Sequence, residues 1–330
     1  MSGEAVAPTS APAEPESWVF DAIGTRWQID TAREVPTALR QAIAARIDQF
    51  DRDYSRFRDD SLVTRVARSA GAYRVPADAQ PLIEVYERLY RATAGAVTPF
   101  VGDTLVSLGY DAQYSLVPAA APAVRAASAA SDPSAASNAS AASNASNPSQ
   151  TVPRLADVVD DGSVLRAGSV VHTRRPATVD VGAAGKGYLV DLVAALLDDA
   201  GFATFTVDAS GDLFRRGAPI RVALEHPFDP SKAVGVVELT DAALCASATN
   251  RRAWGNGLHH VIDGRTGLPT PQVAATWAIA PDARTADGVA TALFFAAPTA
   301  LHEEFGTDGV RMFSSGRLER TPTFQGEIFV

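Results

Sequence analysis

Apolar residues recur at helical spacing in several segments on both sides of a central polar stretch. The most regular stripe places leucines and valines at positions i, i+3, i+4, i+7 and i+8 and ends at Gly201. The same spacing predicts helices over Pro36–Phe50, Pro81–Ala94 and about Thr285–Ala296, and a further helix beginning at Thr299. The residues of the regular stripe are Leu189, Leu192, Val193, Leu196 and Leu197.

Short apolar runs between these segments predict β-strands. Trp18–Thr31 alternates between apolar and polar residues and is predicted to form two strands that turn at Gly24-Thr25. Because the strands do not alternate regularly with helices of crossover length, the pattern favours an α+β fold over a doubly wound parallel sheet. Further strands are predicted at Gly168–His172, Thr178–Val181, Phe205–Val207, Ile220–Leu224, Val234–Leu239, His259–Ile262 and Val273–Ala280.

A segment of low complexity interrupts the globular pattern. Of the 33 residues in Pro118–Gln150, 29 are Ala, Ser, Pro or Asn, and the hexad SAASNA occurs twice in tandem. Such a segment has no apolar face to bury, so we predict a flexible insert. Neither flank carries a complete set of elements, which predicts one domain built from residues 17–117 and 151–330. Residues 1–16 are rich in Ala, Pro, Ser and Glu and are predicted to form a disordered tail.

Composition narrows the classes of function. The 330 residues carry a net charge of −9 and contain no run of Lys and Arg, so nothing indicates a nucleic-acid partner. The single cysteine, Cys245, excludes an intrachain disulfide and a multi-cysteine metal site. No apolar stretch approaches the roughly 18 residues of a membrane segment, and the N-terminus shows neither a secretory signal nor a lipoprotein cysteine. We therefore expect a soluble, cytoplasmic protein.

The turn at Asp180–Gly187 is the first candidate for chemistry. A predicted strand ends there in small residues, and the amphipathic helix that follows offers free N–H groups and a partial positive charge to an anion. Lys186 adds a full positive charge, and together these features suit a phosphate group. The segment lacks the spacing of a Walker A loop, and Gly187 stands where Ser or Thr would bind magnesium. A tight strand-to-helix turn with a solvated lysine explains the pattern about equally well.

Two segments nearer the C-terminus carry further candidate residues. Asp287 and Thr291 are four residues apart on a predicted helix, so their oxygen atoms, of the kind that magnesium prefers, share one face. The structural alternative is that both side chains only satisfy the helix backbone. His259 and His260 lie on a predicted strand and point to opposite faces, so at most one of them faces a given site. That histidine is either a general base or a hydrogen-bonded core residue.

The order of these motifs along the chain resembles that of the ApbE family of flavin transferases. The resemblance runs from about Ile23 to Thr291 and is interrupted by the insert. It implies a single ApbE-like domain of mixed sheets and helices that transfers FMN from FAD to a threonine hydroxyl of an acceptor protein and releases AMP. The motifs that carry it are Ile23-Gly24-Thr25, Ser55-Arg56-Phe57 with Asp60-Ser61, Asp180–Asp191, Ser210-Gly211-Asp212, His260–Gly267 and Ala286–Thr291.

The resemblance also implies a magnesium site. Asp287 and Thr291 would supply a carboxylate and a hydroxyl ligand. The backbone carbonyl of Ala183 would be a third ligand, and that of Arg284 is a further candidate. Mg²⁺ is therefore the implied metal, and FAD is the implied donor of FMN.

For the remaining candidates the resemblance implies contacts with FAD and a catalytic base. Asp180 and Lys186 would contact FAD, with Lys186 at the pyrophosphate. Ile23 and Val261 would line the pocket for the flavin or adenine ring. His260 would act as the base toward the acceptor threonine, which belongs to an unidentified protein that we expect to be a redox protein.

One segment departs from the family's pattern. The family has Phe-Asp-x-Thr-Val-Gly-Pro-Leu followed by Leu-Trp-Gly-Phe, whereas Val97–Tyr110 has Thr98 and Phe100 at the aspartate and threonine positions and contains no tryptophan. Ala248 also replaces the second glycine that the family has after the position of Ser247. Because the altered segment corresponds to a wall that grips FAD, two alternatives stay open: hydrolysis of FAD to FMN and AMP, and FAD binding without chemistry.

Overall fold

A central antiparallel sheet organises the chain. The computed structural model describes residues 15–119, 152, 170–255 and 257–329. Within these ranges, eight strands follow one another in the order β1-β2-β5-β6-β9-β14-β15-β16, and every neighbouring pair is antiparallel. The strands are β1 Glu16–Ala22, β2 Thr25–Thr31, β5 Phe205–Asp208, β6 Asp212–Arg216, β9 Ala242–Ala248, β14 Val273–Ala280, β15 Asp308–Phe313 and β16 Leu318–Arg320.

Smaller sheets extend this frame. A three-stranded antiparallel sheet has the order β17-β8-β7, and three strand pairs are also antiparallel. The three-stranded sheet consists of β7 Ile220–Glu225, β8 Ala233–Leu239 and β17 Gly326–Ile328. The pairs are β3 Gly71–Arg74 with β4 Val170–Thr173, β10 Ala253–Trp254 with β11 Leu258–His259, and β12 Ile262–Asp263 with β13 Leu268–Pro269.

Seven α-helices occur in the described ranges, with short 3₁₀ turns at Pro99–Val101 and Thr249–Arg252. Polar side chains begin two of the helices: Ser61 accepts a hydrogen bond from the Thr64 N–H, and Asp282 accepts one from the Thr285 N–H. The helices are α1 Thr37–Tyr54, α2 Leu62–Arg68, α3 Gln80–Ala92, α4 Gly102–Ser107, α5 Gly185–Asp199, α6 Ala283–Ala292 and α7 Pro298–Phe305.

The two faces of the central sheet are covered differently. Side chains alternate between the faces of a strand, so β14 contributes to two separate cores. Ala278 and Ala280 belong to the core that the sheet shares with the helices. Ala275 and Trp277 belong to the core shared with the three-stranded sheet. Since both of its faces are buried, β14 is apolar at nearly every position and lacks an alternating pattern.

Helices α5 and α6 cross closely at their N-termini, and this crossing positions the candidate site. A Cβ atom placed on Gly187 would lie 2.1 Å from the Ala283 carbonyl oxygen and 2.7 Å from the Asp287 Cβ. Only glycine allows the two backbones to approach this closely without displacement. The loop that precedes α5 therefore lies directly beside the first turns of α6.

The structure confirms the α+β prediction and most of the predicted elements. The strand pair at Trp18–Thr31, the helix that ends near Gly201 and the strand at Val273–Ala280 are all present. The strand predicted at Thr178–Val181 is wrong, because these residues join no strand ladder: the Asp180 N–H donates to the Pro99 carbonyl at 2.7 Å, and the Val181 carbonyl accepts from the Gly185 N–H at 2.7 Å. The single strand predicted at His259–Ile262 is instead split between β11 and β12.

Two predictions concern residues that mostly lie outside the described ranges. Of the predicted tail, only residues 15–16 are described, and β1 already begins at Glu16. Of the predicted insert, only residues 118–119 are described. Strands from both sides of this segment share the central sheet, since β1 and β2 precede it and the other six strands follow it. None of the helices in the described part of the chain is both long and apolar enough to cross a membrane.

Candidate active site

A cavity of about 1530 Å³ gathers the candidate residues. Its walls come from the loop before α5, from α6, from the turn between β5 and β6, and from the segment around His260. Eight of the nine residues singled out in the sequence line it, and Arg284 is the exception. The eight are Ile23, Asp180, Ala183, Lys186, His260, Val261, Asp287 and Thr291.

Three oxygen-bearing groups meet where α6 faces the loop before α5. Thr291 Oγ1 donates a hydrogen bond to the Ala183 carbonyl at 3.3 Å, and the Gly187 N–H donates one to Asp287 Oδ2 at 2.9 Å. Asp287 and Thr291 are one turn apart on α6 and therefore point the same way. Helix α6 thus brings its hydroxyl to the carbonyl of Ala183, 108 residues away in sequence, and its carboxylate to the N–H of Gly187, four residues further along the same segment.

The chemistry of these donors fits Mg²⁺. The group contains one carboxylate, one hydroxyl and one carbonyl, all hard oxygen ligands, and Mg²⁺ commonly uses one or two carboxylates and completes its shell with water and phosphate oxygens. Among the described residues, no three His, Cys, Asp or Glu side chains are grouped so that they could hold a metal ion. Burial, assisted by the carboxylate of Asp212, raises the pKa of Asp287 well above its usual value, and a bound cation would oppose that rise.

Lys186 is held by the turn between β5 and β6. Its Nζ donates hydrogen bonds to the carbonyl oxygens of Ala209 at 2.8 Å and Ser210 at 3.2 Å, and it lies 3.1 Å from Asp212 Oδ2. Burial alone lowers the pKa of Lys186, but the carboxylates of Asp212 and Asp287 outweigh burial and hold that pKa above its usual value. Lys186 therefore carries its positive charge beside the cavity while most of its hydrogen-bonding capacity fixes the turn.

The turn that Lys186 holds has an unusual backbone. Ser210 has a φ of 56° and Gly211 a φ of 104°, so a non-glycine residue occupies the left-handed region. Ser210 Oγ donates a hydrogen bond to the Arg26 carbonyl at 2.7 Å, and the Ala246 N–H donates one to the Gly211 carbonyl at 2.8 Å. These bonds, with those from Lys186, hold the strained turn at the cavity wall.

Asp180 forms a buried ion pair that the sequence alone did not reveal. Its Oδ2 lies 2.5 Å from Arg56 Nε, and its Oδ1 accepts a hydrogen bond from the Gly182 N–H at 2.7 Å. The Arg56 side chain is only 4% exposed and also donates to the Tyr110 carbonyl at 2.8 Å. Asp180 thus shapes the loop before α5, and Arg56 ties that loop to the segment that departs from the family's pattern.

The adjacent histidines occupy different environments: β11 ends at His259, and His260 lies in the bend between β11 and β12. His259 is buried; its Nε2 is 2.9 Å from the Thr270 carbonyl oxygen and its Nδ1 accepts from the Val261 N–H at 3.2 Å. His260 lines the cavity, and its Nδ1 is buried without a hydrogen-bond partner in the described structure. Burial, together with the charge of Arg252 and the proximity of His259, lowers the pKa of His260 to about 4. Its imidazole is therefore neutral at physiological pH and able to accept a proton.

An aromatic wall stands where the family's tryptophan is missing. Tyr110 stacks on Trp254 with 5.6 Å between ring centroids, and Trp254 Nε1 donates to the Leu108 carbonyl at 2.8 Å. Phe57 stacks on Tyr114 at 5.2 Å between centroids, and both rings line the cavity. Trp254, from a distant part of the chain, thus supplies a ring beside Tyr110. The Arg56 guanidinium lies 4.2 Å from the Phe57 ring centroid and 4.9 Å from that of Tyr110, so the wall combines aromatic rings with a positive charge.

Arg284, the exception among the candidates, lies outside the cavity. Its backbone N–H donates to Asp191 Oδ2 at 3.0 Å, and its guanidinium Nη1 is 3.4 Å from the same oxygen. Burial raises the pKa of Asp191 to about 7 even though it accepts these bonds. The ligand role that the resemblance implies for Arg284 belongs to its backbone carbonyl, whereas the contacts with Asp191 use its N–H and guanidinium, so that role stays a prediction.

The chain is similar in sequence to proteins of one known family. A family model described as "ApbE family" matches residues 23–309. An FAD:protein FMN transferase of Klebsiella pneumoniae (strain 342) is 27% identical and aligns with 92% of this chain and 86% of its own length. A protein of the same name from Salmonella typhimurium is 32% identical over a shorter alignment that covers 41% of each chain.

Solved structures share the fold. The flavin transferase ApbE from Vibrio cholerae superposes with a TM-score of 0.73 at 20% identity, covering 95% of this chain and 99% of its own. The apbe protein from Thermotoga maritima superposes with a TM-score of 0.74 at 20% identity, covering 94% and 98%. At this level of identity the likeness concerns the arrangement of helices and sheets.

Proposed function

The chain belongs to the ApbE family, whose model covers residues 23–309, and from this premise we propose that it is an FAD:protein FMN transferase. The proposed reaction moves FMN from FAD to a threonine hydroxyl of an acceptor protein, requires Mg²⁺ and releases AMP. The observation that carries the proposal is the meeting of Asp287, Thr291 and the Ala183 carbonyl in one cavity with the neutral imidazole of His260.

The residues that would hold Mg²⁺ are Asp287, Thr291 and the carbonyl of Ala183. When bound there, Mg²⁺ supplies positive charge to the phosphate oxygens of FAD. The Gly187 N–H fixes Asp287 by a bond to Oδ2 at 2.9 Å, so the carboxylate is oriented before any ligand arrives. Preorganisation of this kind reduces the reorganisation required during the reaction.

The residues around the oxygen cluster suit an anionic substrate. Lys186 places a positive charge beside the cavity, and its pKa keeps it protonated across the physiological range. The N-terminus of α5 adds the partial positive charge of a helix end. Because Asp212 pairs with Lys186 at 3.1 Å, the net positive charge offered to a pyrophosphate would come mainly from the helix end and from bound Mg²⁺.

The proposed chemical step is a substitution at phosphorus. The threonine oxygen forms a bond to the FMN-side phosphorus, the bond between that phosphorus and the bridging oxygen breaks, and the bridging oxygen leaves with AMP. The proton of the threonine hydroxyl passes to the imidazole of His260, which is neutral because its pKa is lowered to about 4. The aromatic wall around Tyr110 and Phe57 is the surface on which we place a flat ring of FAD.

The test uses covalent labelling of the acceptor. The purified protein is incubated with FAD, Mg²⁺ and a lysate of its source organism, and flavin fluorescence is followed on a denaturing gel, with labelled proteins identified by mass spectrometry. Asp287→Ala removes the only carboxylate of the oxygen cluster and should reduce labelling at least a hundredfold. Asp199→Asn, which changes an exposed aspartate at the end of α5, is the matched control and should label normally.

Other outcomes would select the alternatives. Release of AMP without an acceptor, at a rate comparable to labelling, would favour hydrolysis of FAD. Tight binding of FAD that does not depend on Mg²⁺ and yields no AMP would indicate a binding protein. Labelling by Asp287→Ala at the rate of the unmodified protein would remove the metal role from the proposal.

A further inference from the structure

Helices α5 and α6 are joined at their crossing by reciprocal hydrogen bonds, in which an aspartate of each helix accepts from backbone N–H groups of the other. The Gly187 N–H of α5 donates to Asp287 Oδ2 of α6 at 2.9 Å. In return, the Ala283 N–H of α6 donates to Asp191 Oδ1 of α5 at 2.7 Å, and the Arg284 N–H donates to Asp191 Oδ2 at 3.0 Å. Asp191 lies one turn after Gly187, and Asp287 lies one turn after Ala283, so each helix binds the first turn of the other.

These reciprocal hydrogen bonds leave α6 little freedom to move relative to α5. The hypothetical Cβ of Gly187 lies 2.1 Å from the Ala283 carbonyl oxygen, so the backbones are already in contact at the turn that Asp191 binds. The Asp191 side chain is 14% exposed, and both of its oxygens accept from the backbone of α6. A lateral shift of α6 would therefore break two bonds to a largely buried carboxylate, which is costly.

Asp191 adds to a helix cap that already exists. Asp282 accepts from the Thr285 N–H at 2.9 Å and is the ordinary N-cap of α6. Asp191 binds the two N–H groups that this cap leaves free, and it does so from another helix. An N-cap within its own chain segment stabilises a helix, whereas a carboxylate from α5 also fixes where α6 stands relative to α5.

We propose that Asp191 is a positioning residue that holds α6 so that Asp287 and Thr291 face the carbonyl of Ala183. The proposal rests on the proposed function, because the site that it aligns is the one assigned to Mg²⁺. Asp191 does not line the cavity. It acts through the backbone of Ala283 and Arg284, one turn before the first ligand.

The expected effect follows from this geometry. If the bonds from Asp191 are weakened, α6 gains lateral freedom and the distance between Thr291 and Ala183 is no longer fixed at 3.3 Å. Groups that orient metal ligands typically contribute about 10–100-fold to metal affinity. We therefore expect Asp191→Asn to weaken divalent-ion binding at least tenfold, because the amide keeps one acceptor oxygen and turns a donor toward the second N–H group.

The experiment measures binding of Mn²⁺, a spectroscopic probe for the Mg²⁺ site, by electron paramagnetic resonance in the presence and absence of FAD. The unmodified protein, Asp191→Asn, Asp191→Glu and the control Asp199→Asn are titrated after circular dichroism has shown that each is folded. The expected result is binding at least tenfold weaker in Asp191→Asn and unchanged in the control, with flavinylation restored to within threefold at saturating Mg²⁺. A merely structural role would lower stability without changing the affinity of the folded protein for Mn²⁺.

Each contrary result has a distinct meaning. If the unmodified protein binds no Mn²⁺, with or without FAD, the proposed metal site itself fails. If it binds Mn²⁺ and folded Asp191→Asn binds equally well, the positioning role is overturned and the proposed function stands. If Asp191→Asn does not fold, Asp191→Glu is tested instead, because it keeps the charge but moves the carboxylate by one methylene group. An affinity of Asp191→Glu for Mn²⁺ equal to that of the unmodified protein would then overturn the positioning role of Asp191.

Discussion

Replacing Gly187 with alanine should damage both stability and the oxygen cluster, because the new methyl group meets backbone atoms. The Cβ would lie 2.1 Å from the Ala283 carbonyl oxygen, whereas ordinary contact begins near 3.4 Å, so the helices must separate by about 1.3 Å. Overpacking of a close-packed site costs about 1–3 kcal/mol. The charge-assisted hydrogen bond from the Gly187 N–H to Asp287 would weaken as well, and its complete loss would cost about 1.5–3 kcal/mol.

One favourable effect opposes these costs. Alanine is better than glycine in a helix by about 1 kcal/mol. The balance predicts a free energy of unfolding that is lower by about 3 kcal/mol. For a domain of this size, that loss corresponds to a decrease in melting temperature of about 6–12 °C.

A matched control separates the clash from the mere change of residue. Gly288 lies on α6 next to Asp287, and a Cβ placed on it would be 2.7 Å from Leu89 Cδ1, the far end of a flexible side chain. The clash is with the end of a buried side chain and not with backbone, so Gly288→Ala should cost less than Gly187→Ala, about 1 kcal/mol. Urea unfolding followed by circular dichroism measures both variants, and Mn²⁺ titration measures the cluster. If Gly187→Ala were as stable as Gly288→Ala and bound Mn²⁺ normally, the close crossing of α5 and α6 would be refuted.

Two further predictions concern the charged groups of the cavity. Lys186→Met leaves the carboxylate of Asp212, which is 1% exposed, without its counter-charge and should lower the free energy of unfolding by about 3–5 kcal/mol. The double variant Lys186→Met/Asp212→Asn should recover part of that loss. Urea unfolding of both variants measures the two free energies. His260→Gln should reduce flavinylation by about 10²–10⁴-fold. Since the pKa of His260 is about 4, the unmodified protein should escape the roughly tenfold loss of rate at pH 5.5 that a histidine of ordinary pKa would impose. An acid limb of the rate centred at pH 6.5 in the unmodified protein would contradict this low pKa. Between pH 6.5 and about 4 the folded protein binds fewer protons at His260 than the unfolded chain does. Its free energy of unfolding should therefore fall relative to that of His260→Gln as the pH is lowered through that window.

Periodicity was sufficient for the amphipathic elements and failed where burial or composition hides the pattern. The stripe ending at Gly201 predicted α5, and the alternation in Trp18–Thr31 predicted β1 and β2. Strand β9 was missed because its sequence, AALCASA, consists mainly of small residues with weak strand preference. It is a strand because β6 and β14 pair with it on both sides. Such pairing depends on tertiary context, which local sequence does not contain.

At the candidate site, too, local sequence indicated some residues and gave no sign of the contacts that depend on tertiary structure. The types and spacing of Asp287 and Thr291 indicated a pair of oxygen ligands on one helix face, and the structure places both at the cavity, with Thr291 against Ala183 and Asp287 against Gly187. The partner of Asp180 stayed hidden, because Arg56 lies 124 positions away and the sequence shows it only as the middle residue of a short motif. Asp191 was visible only as the last residue of a motif. Its contacts are with backbone N–H groups 92 and 93 positions away, which no side-chain pattern encodes.

The long sequence separation across the crossing has a consequence for how the protein matures. The bonds that join α5 to α6, and Thr291 to Ala183, link residues 92 to 108 positions apart, so a nascent chain cannot form the cluster before the last quarter of the domain has been synthesised and docked. A divalent ion held there would bind the native chain and not its precursors, and at a hundred times its dissociation constant it would favour the native state by about 2.7 kcal/mol. Cellular magnesium would then stabilise only those chains that have completed folding, and it would protect them from proteolysis while incompletely folded chains remain susceptible.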